Sequence, residues 1–372
     1  GDVFDNTNPS AASQAQLYQF LSAARQRVPH LAVVLIAGNH DSPGRLEAPA
    51  SLLTLFNTSV VGQLGRSSAQ AQADRLVVPL KDAAGQVAAW CIAMPFLRPG
   101  DLPKTDGSAD AYAGGMRALY DCAYAAALRQ CQPGQAIVAM GHCHTTGATV
   151  SEDSERRIVI GGAEALSASV FDAGIAYVAL GHLHLAQKVG GDPTRRYCGS
   201  PLPLSFSEVD YPHQVVVVEL DGARVAAVRE VRIPRSVDLL RVPRQARPLA
   251  DVVAQLEALA LPGAEGIVLA PEQWPYLQVR VLLDKPEPGL RAAVEAALAG
   301  KPVRLVRIET SAVRGAGEAS AALLSVDELG TLGPTDFFER LYQHRFNEAP
   351  PADLLAAFAE LAQAQISAGA AP

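Results

Sequence analysis

Short apolar runs that break straight into glycine and histidine narrow what this chain can become more than any other feature. Ala136 to Met140 runs into Gly141-His142, and Ile175 to Leu180 runs into Gly181-His182-Leu183-His184. Leu31 to Ile36 is followed by Gly38-Asn39-His40-Asp41. Continuous apolar runs of this length read as strands buried on both faces. In open α/β sheets, ligands bind beyond the carboxyl ends of the strands. Three strand ends would therefore aim imidazole, amide and carboxylate groups at one crevice. A fourth Gly-bearing segment, Gly1-Asp2-Val3-Phe4-Asp5, adds carboxylates. His182 and His184 lie two apart, so an extended backbone turns them to the same side, where they can bind adjacent metals.

Imidazole, carboxylate and amide oxygen suit Mn, Fe or Zn ions. The five cysteines, at 91, 122, 131, 143 and 198, are scattered with no CxxC pair, which argues against a zinc ribbon or a disulfide framework. Two ions about 3.5–4 Å apart can share a carboxylate, activate a water and clamp a scissile phosphate. A positioned general acid supplies roughly 10²–10⁴-fold, and phosphate-ester hydrolysis can require many more orders than that. His40 alone would not suffice, so metals carry most of the acceleration. Each segment taken singly has a plainer reading: Asp2 as a solvated loop acid, Gly-Asn-His-Asp as an ordinary turn. The four segments together favour the metal reading. His144 mimics the later His pair at the same spacing, and Cys143 reads as a small packing residue.

The 372 residues leave room for two or three domains. With 49% hydrophobic and 19% charged residues, the composition is that of a soluble globular protein. No apolar run approaches the about 20 residues of a membrane span, and the start lacks a signal-peptide pattern, so a reduced cytoplasm is expected. The net charge of −7 argues mildly against a nucleic-acid partner. Two divalent ions would reverse that sign locally.

Apolar positions Leu17, Phe20, Leu21, Ala24 and Val28 predict a helix over 10–28, and the Ala-rich stretch 108–130 predicts a longer one. Val87–Phe96 is another strand candidate. From about 194 to 233 strand follows strand, which suggests a second sheet packed on the first. Residues 237–310 predict strand, helix, strand, helix, strand, with helices near 248–260 and 288–299 and a cleanly alternating strand at Tyr276–Leu283. Ser311 to Ala322 reads as a linker. Two apolar stripes follow it, Phe337, Phe338, Leu341, Tyr342 and Phe346, then Leu354, Leu355, Phe358, Leu361 and Ile366. They fit either core helices or helices that dock into a partner's groove.

The ordered motifs resemble the calcineurin-like metallophosphoesterase superfamily, whose signature runs Asp-x-His, Gly-Asp, Gly-Asn-His-Asp/Glu, a single His, then Gly-His-x-His. The likeness is stronger to one branch, SbcD. Ile36–Ser42, Pro95–Pro99, Ala179–His184 and Arg196–Phe206 all carry it. The resemblance implies an α/β, two-sheet αββα sandwich lacking its first strands, with a small α/β capping domain and C-terminal helices. It divides the chain into a nuclease domain (1–235), a capping domain (236–310), and a linker with C-terminal helices (311–372) that could dock on an SbcC-type ATPase. It implies two divalent ions, most readily Mn2+. Asp2 would bridge them, Asn39, His142 and His182 would complete one site, and His184 would serve the other. His40 would contact the scissile phosphate or leaving oxygen, with Asp41 as its orienter.

The implied activity is cleavage of DNA phosphodiesters at double-strand ends and hairpins, by a homodimer within a heterotetramer with no membrane association. Alternatives are a phosphoesterase for small phosphoesters or nucleotides, and a non-catalytic scaffold that binds DNA ends. Asp-x-His is not among these residues. The expectation is thus an N-terminally truncated copy that holds the first metal abnormally and is weakly active or inactive.

Overall fold

The computed structural model describes residues 1–65, 68–103, 111–149, 165–261, 270–312, 333–346 and 348–368. The chain divides into two compact units, Gly1–Arg235 and Ser236–Pro372. Both are mixed α/β.

In the first unit, β1 (Val33–Ile36) and β2 (Thr58–Val61) pair in parallel. A separate six-stranded sheet holds β3 (Val77–Lys81), β4 (Val87–Ala93), β5 (Ala136–His142), β6 (Tyr177–Gly181), β7 (Gln187–Val189) and β8 (Asp192–Tyr197). Its spatial order is β3-β4-β5-β6-β8-β7. The four inner strands run parallel, and the two edge strands are antiparallel to their neighbours. Inner parallel strands need apolar side chains on both faces. Ile92, Ala93, Ala136, Ala139 and Val178 meet that need with at most 1% exposure. The helix Ala111–Gln130 covers one face through Met116, Leu119, Tyr120, Ala123, Ala126 and Ala127. That spacing is helical, and its alanines let the helix sit close to the sheet.

One expectation is corrected here, and one is met. The strand-rich run 194–233 does not form one second sheet. β8 joins the six-stranded sheet, and only β9 (Gln214–Asp221) and β10 (Arg224–Arg232) form a separate antiparallel ribbon. The break falls where Pro201 and Pro203 remove backbone donors from any ladder. The helix Ala11–Arg27 forms, with Ser10 accepting from the Ser13 amide as its N-cap. Of its apolar positions Leu21 is buried, Leu17 and Ala24 are half-buried, and Phe20 and Val28 are exposed. The helix lies against the short Thr54–Phe56 turn, and its Leu17 lines a cavity together with Leu46, Pro49 and Leu53.

In the second unit, β11 (Leu239–Pro248), β12 (Tyr276–Leu283) and β13 (Arg304–Ala312) make a parallel sheet in that order. Helices Leu249–Glu257 and Leu290–Ala297 supply Val252, Leu256 and Val294 to a core with Leu277, Val279 and Val281. β12 alternates as its sequence suggests. β13 runs to Ala312, so the first two residues of the expected linker are strand, and the rest of it lies outside the described residues. The helices Pro334–Phe346 and Ala352–Ala368 stack Phe338 on Phe358 with ring centroids 4.2 Å apart. Phe337, Leu341 and Leu361 stay exposed. Among the described residues no helix is long and apolar enough to cross a membrane.

Candidate metal centre

β5 and β6 are in register so that His142, the last residue of β5, pairs with Gly181 at the end of β6. This parallel register places His142 beside the start of the Gly181–His184 segment. Asn39 follows β1 on the loop 37–41, and Asp2 lies on the segment that crosses that loop. The donor atoms meet. Nε2 of His142 is 3.1 Å from Oδ2 of Asp2 and 3.0 Å from Oδ1 of Asn39. Nδ1 of His182 is 3.1 Å from the same Asn39 oxygen. Ligand atoms of Asp2, His142 and His182 all fall within 4.8 Å of one another.

This donor set fits a divalent cation. Adjacent ligands of an octahedral ion with bonds of about 2.1 Å lie about 3.0 Å apart. Nε2 of His142 has one proton at most for two oxygen acceptors, leaving electron density that a cation would satisfy. The protonation states also suit a cation. Burial holds the His142 imidazole below its ordinary pKa, against the opposing pull of Asp2. Burial and neighbouring His142 push His182 down to about 3. Burial pushes the Asp2 carboxyl up, but the hydrogen bond and charge of His142 and the His40 amide outweigh it, so its pKa ends well below the usual range. At neutral pH the site is thus one carboxylate, one amide oxygen and two neutral imidazoles. The Asp2–His142 contact is then a hydrogen bond rather than an ion pair.

Backbone strain accompanies the site. His182 has φ +98° and Asp2 φ +52°, a region costing side-chain-bearing residues on the order of 1–3 kcal/mol. Asp41, 1% exposed, over-determines the crossing. Its carboxylate accepts from the amides of Val3 (3.0 Å), Phe4 (2.9 Å) and Gly38 (2.8 Å). Asp2 Oδ1 accepts from the His40 amide at 2.8 Å. Gly38 must be glycine, because a Cβ there would collide with Asp2. His40 Nδ1 sits 2.7 Å from the Asp5 carbonyl. A carbonyl only accepts, so Nδ1 carries the proton and Nε2 keeps its lone pair.

Tyrosines brace the β5 end. Tyr120 donates to the Met140 carbonyl at 3.1 Å, and Tyr197 donates to the Cys143 carbonyl at 2.8 Å. Both side chains are buried. Cys143 packs in the core with its thiol pushed up to about 12 by burial.

The structure therefore brings together Asp2, Asn39, His142 and His182. It sets Asp41 and His40 on the adjoining loop, Asp41 through backbone amides. His184 is not one of the clustered three. Its Nδ1 is 2.8 Å from Oε1 of Glu208, a fully buried carboxylate that the sequence patterns do not single out. Glu208 closes a single 3-10 turn, Phe206–Glu208, too short to leave a periodic pattern, and its one sequence signal is an acid following Leu204-Ser205-Phe206-Ser207.

Residues 235–346 match the family model described as Type 5 capsule protein repressor C-terminal domain, SbcD_C. A Rhodobacter capsulatus protein, by name the D component of the nuclease SbcCD, is 40% identical over 86% of this chain and 78% of its own length. The Escherichia coli K12 protein of that name is 30% identical over 91% of this chain and 80% of its own length. The Bacillus subtilis one is 30% identical over 69% and 64%.

Proposed function

This chain belongs to the SbcD family, and from that premise we propose that it is the nuclease subunit of an SbcCD-type complex, hydrolysing DNA phosphodiesters with divalent metal. The observation that carries the reading is the convergence of Asp2 Oδ2, Asn39 Oδ1, His142 Nε2 and His182 Nδ1 from four separate segments. These four would hold one divalent ion. His184, with Asp2 as the shared carboxylate, would serve a second, with manganese as the expected metal. When bound, such ions lower the pKa of a water and offset charge on the phosphate. His40 Nε2 would hold or release a proton near the leaving oxygen while the Asp5 carbonyl fixes the ring. Asp41 positions both by tying Val3 and Phe4 to Gly38.

Gly1–Arg235 would act as the nuclease domain, in a two-sheet sandwich arrangement. Residues 236–310 would form a small separate α/β domain. The C-terminal helices expose Phe337, Leu341 and Leu361, an apolar set suited to helix-in-groove docking on an SbcC-type ATPase. Co-purification of that ATPase with a Leu341→Glu/Leu361→Glu variant reads out this contact. The working assembly would be a cytoplasmic heterotetramer with two copies of this chain, acting on double-strand ends and hairpins.

Cleavage of linear duplex DNA should require Mn2+, stop with EDTA, and fall by about 100-fold or more in His182→Ala, since even outer partners of a metal ligand are worth 10–100-fold. A His182→Ala variant that cuts DNA as well as the wild type would overturn the reading. Faster turnover of a small chromogenic phosphodiester than of duplex DNA would redirect it to small phosphoesters.

A further inference from the structure

We propose that Glu208 is the positioning residue for His184, and that the loop Gly199–Glu208 is the cradle that fixes this imidazole for metal binding. The inference rests on the metal-centre reading above. Three independent observations converge on His184. Its ring meets Glu208 Oε1 at 2.8 Å. Its carbonyl accepts from the Ser200 amide at 3.0 Å. Gly199, at φ +81°, lets the loop lie directly on this segment, because a Cβ there would sit 2.7 Å from the His184 oxygen and 2.8 Å from the Ala186 nitrogen.

The other carboxylate oxygen of Glu208 holds the loop itself. It accepts from the Leu204 amide at 3.1 Å and the Ser200 hydroxyl at 3.3 Å. Arg235 then pins the residue after it, donating to the Val209 carbonyl at 2.7 Å. Glu208 has no exposed surface. A charge buried this deeply is unfavourable by several kcal/mol unless its partners compensate. With both oxygens engaged, Glu208 serves as an orienter and not as a ligand.

The consequence for His184 is chemical. A carboxylate only accepts, so Nδ1 carries the proton and Nε2 keeps its lone pair. Carboxylate–imidazole pairing of this kind fixes ring orientation and raises the basicity of the ligating nitrogen. His142 lacks such a partner, since its Nδ1 is buried with no hydrogen bond among the described residues. The two imidazoles are thus held by different means, His142 by braced strand ends and His184 by a carboxylate.

The test is a Mn2+ titration, followed by calorimetry and by electron paramagnetic resonance of the free ion. It uses the full chain as wild type, Glu208→Gln, Glu208→Asp, His184→Ala and the Glu208→Gln/His184→Ala double variant. Gln keeps the size of Glu, but one end of its amide donates, so it cannot accept from both His184 and Leu204. Glu208→Gln should weaken one Mn2+ site by 10–100-fold. Glu208→Asp should recover part of that loss, and Glu208→Gln should cost nothing further once His184 is gone. Unchanged Mn2+ affinity in Glu208→Gln would overturn the proposal, as would an equal loss with and without His184. If Glu208→Gln does not fold, Glu208→Asp replaces it in the same cycle, with the same two outcomes decisive. A wild type that binds no Mn2+ would instead overturn the metal-centre reading, and this inference with it.

Discussion

The six-stranded sheet of the first unit and the three-stranded sheet of the second follow one architectural rule in their parallel strands and use it differently. In the second unit, β12 sends Leu277, Val279 and Val281 into a core closed by Val252, Leu256 and Val294, all fully buried. In the first unit, β5 and β6 begin as apolar strands, but β5 ends in His142 and β6 runs straight into His182, both nearly buried. The second sheet turns burial into stability. The first gives some stability up at its strand ends, where it carries a left-handed histidine and polar groups removed from water. Such deviations from local preference are expected where a site is built.

The largest expected effect tests the second unit as pure scaffold. Leu277→Ala should lower the unfolding free energy of its unit by about 2–5 kcal/mol, read from a urea melt, while Mn2+ affinity stays at the wild-type value. A matching loss of metal binding would show that the two sheets are not the independent cases described.

Gly199→Ala comes next. It places a methyl against the backbone of residues 184 and 186 at a φ that disfavours side chains, which should cost more than about 1 kcal/mol. Cleavage should fall together with stability. If the melt shifts and turnover does not, the loop is structural only.

The smallest effect has the opposite sign. His182→Gly should abolish cleavage yet stabilise the metal-free fold by about 1 kcal/mol, because glycine accepts φ +98°. It should also flatten the acid limb of stability. The unfolded chain binds a proton at a histidine near pH 6.5, whereas folded His182 resists protonation down to about 3. The wild type therefore loses stability as pH falls through that window, and the variant loses less. Urea midpoints at pH 7 and pH 4 measure both.

Much of this was legible from the amino acids, for physical reasons that also mark where legibility ends. β12 and its flanking helices announce themselves through periods of 2 and 3.6. Asn39, His142 and His182 stand out because polar residues follow apolar runs through a glycine. β2 is only four residues long, β7 only three, and β3 carries Pro79 on an edge strand, where proline is tolerated. None of these gives a periodic signal. Glu208, Tyr120 and Tyr197 are invisible for another reason. Their partners lie 24, 20 and 54 residues away in sequence, so their roles exist only once the chain has folded. The Ala11–Arg27 helix forms as its spacing indicates, yet Phe20 stays exposed, since helical spacing guarantees a face but not a surface to bury all of it against.

The four converging donors also have a consequence in time. Residue 2 leaves the ribosome long before residue 182, yet the ion-binding cluster needs both. A nascent chain therefore carries its aspartate through most of the translation of the first unit before the cluster can form. Stalled or proteolysed pieces ending before β6 would lack His182 and so could not assemble the donor cluster.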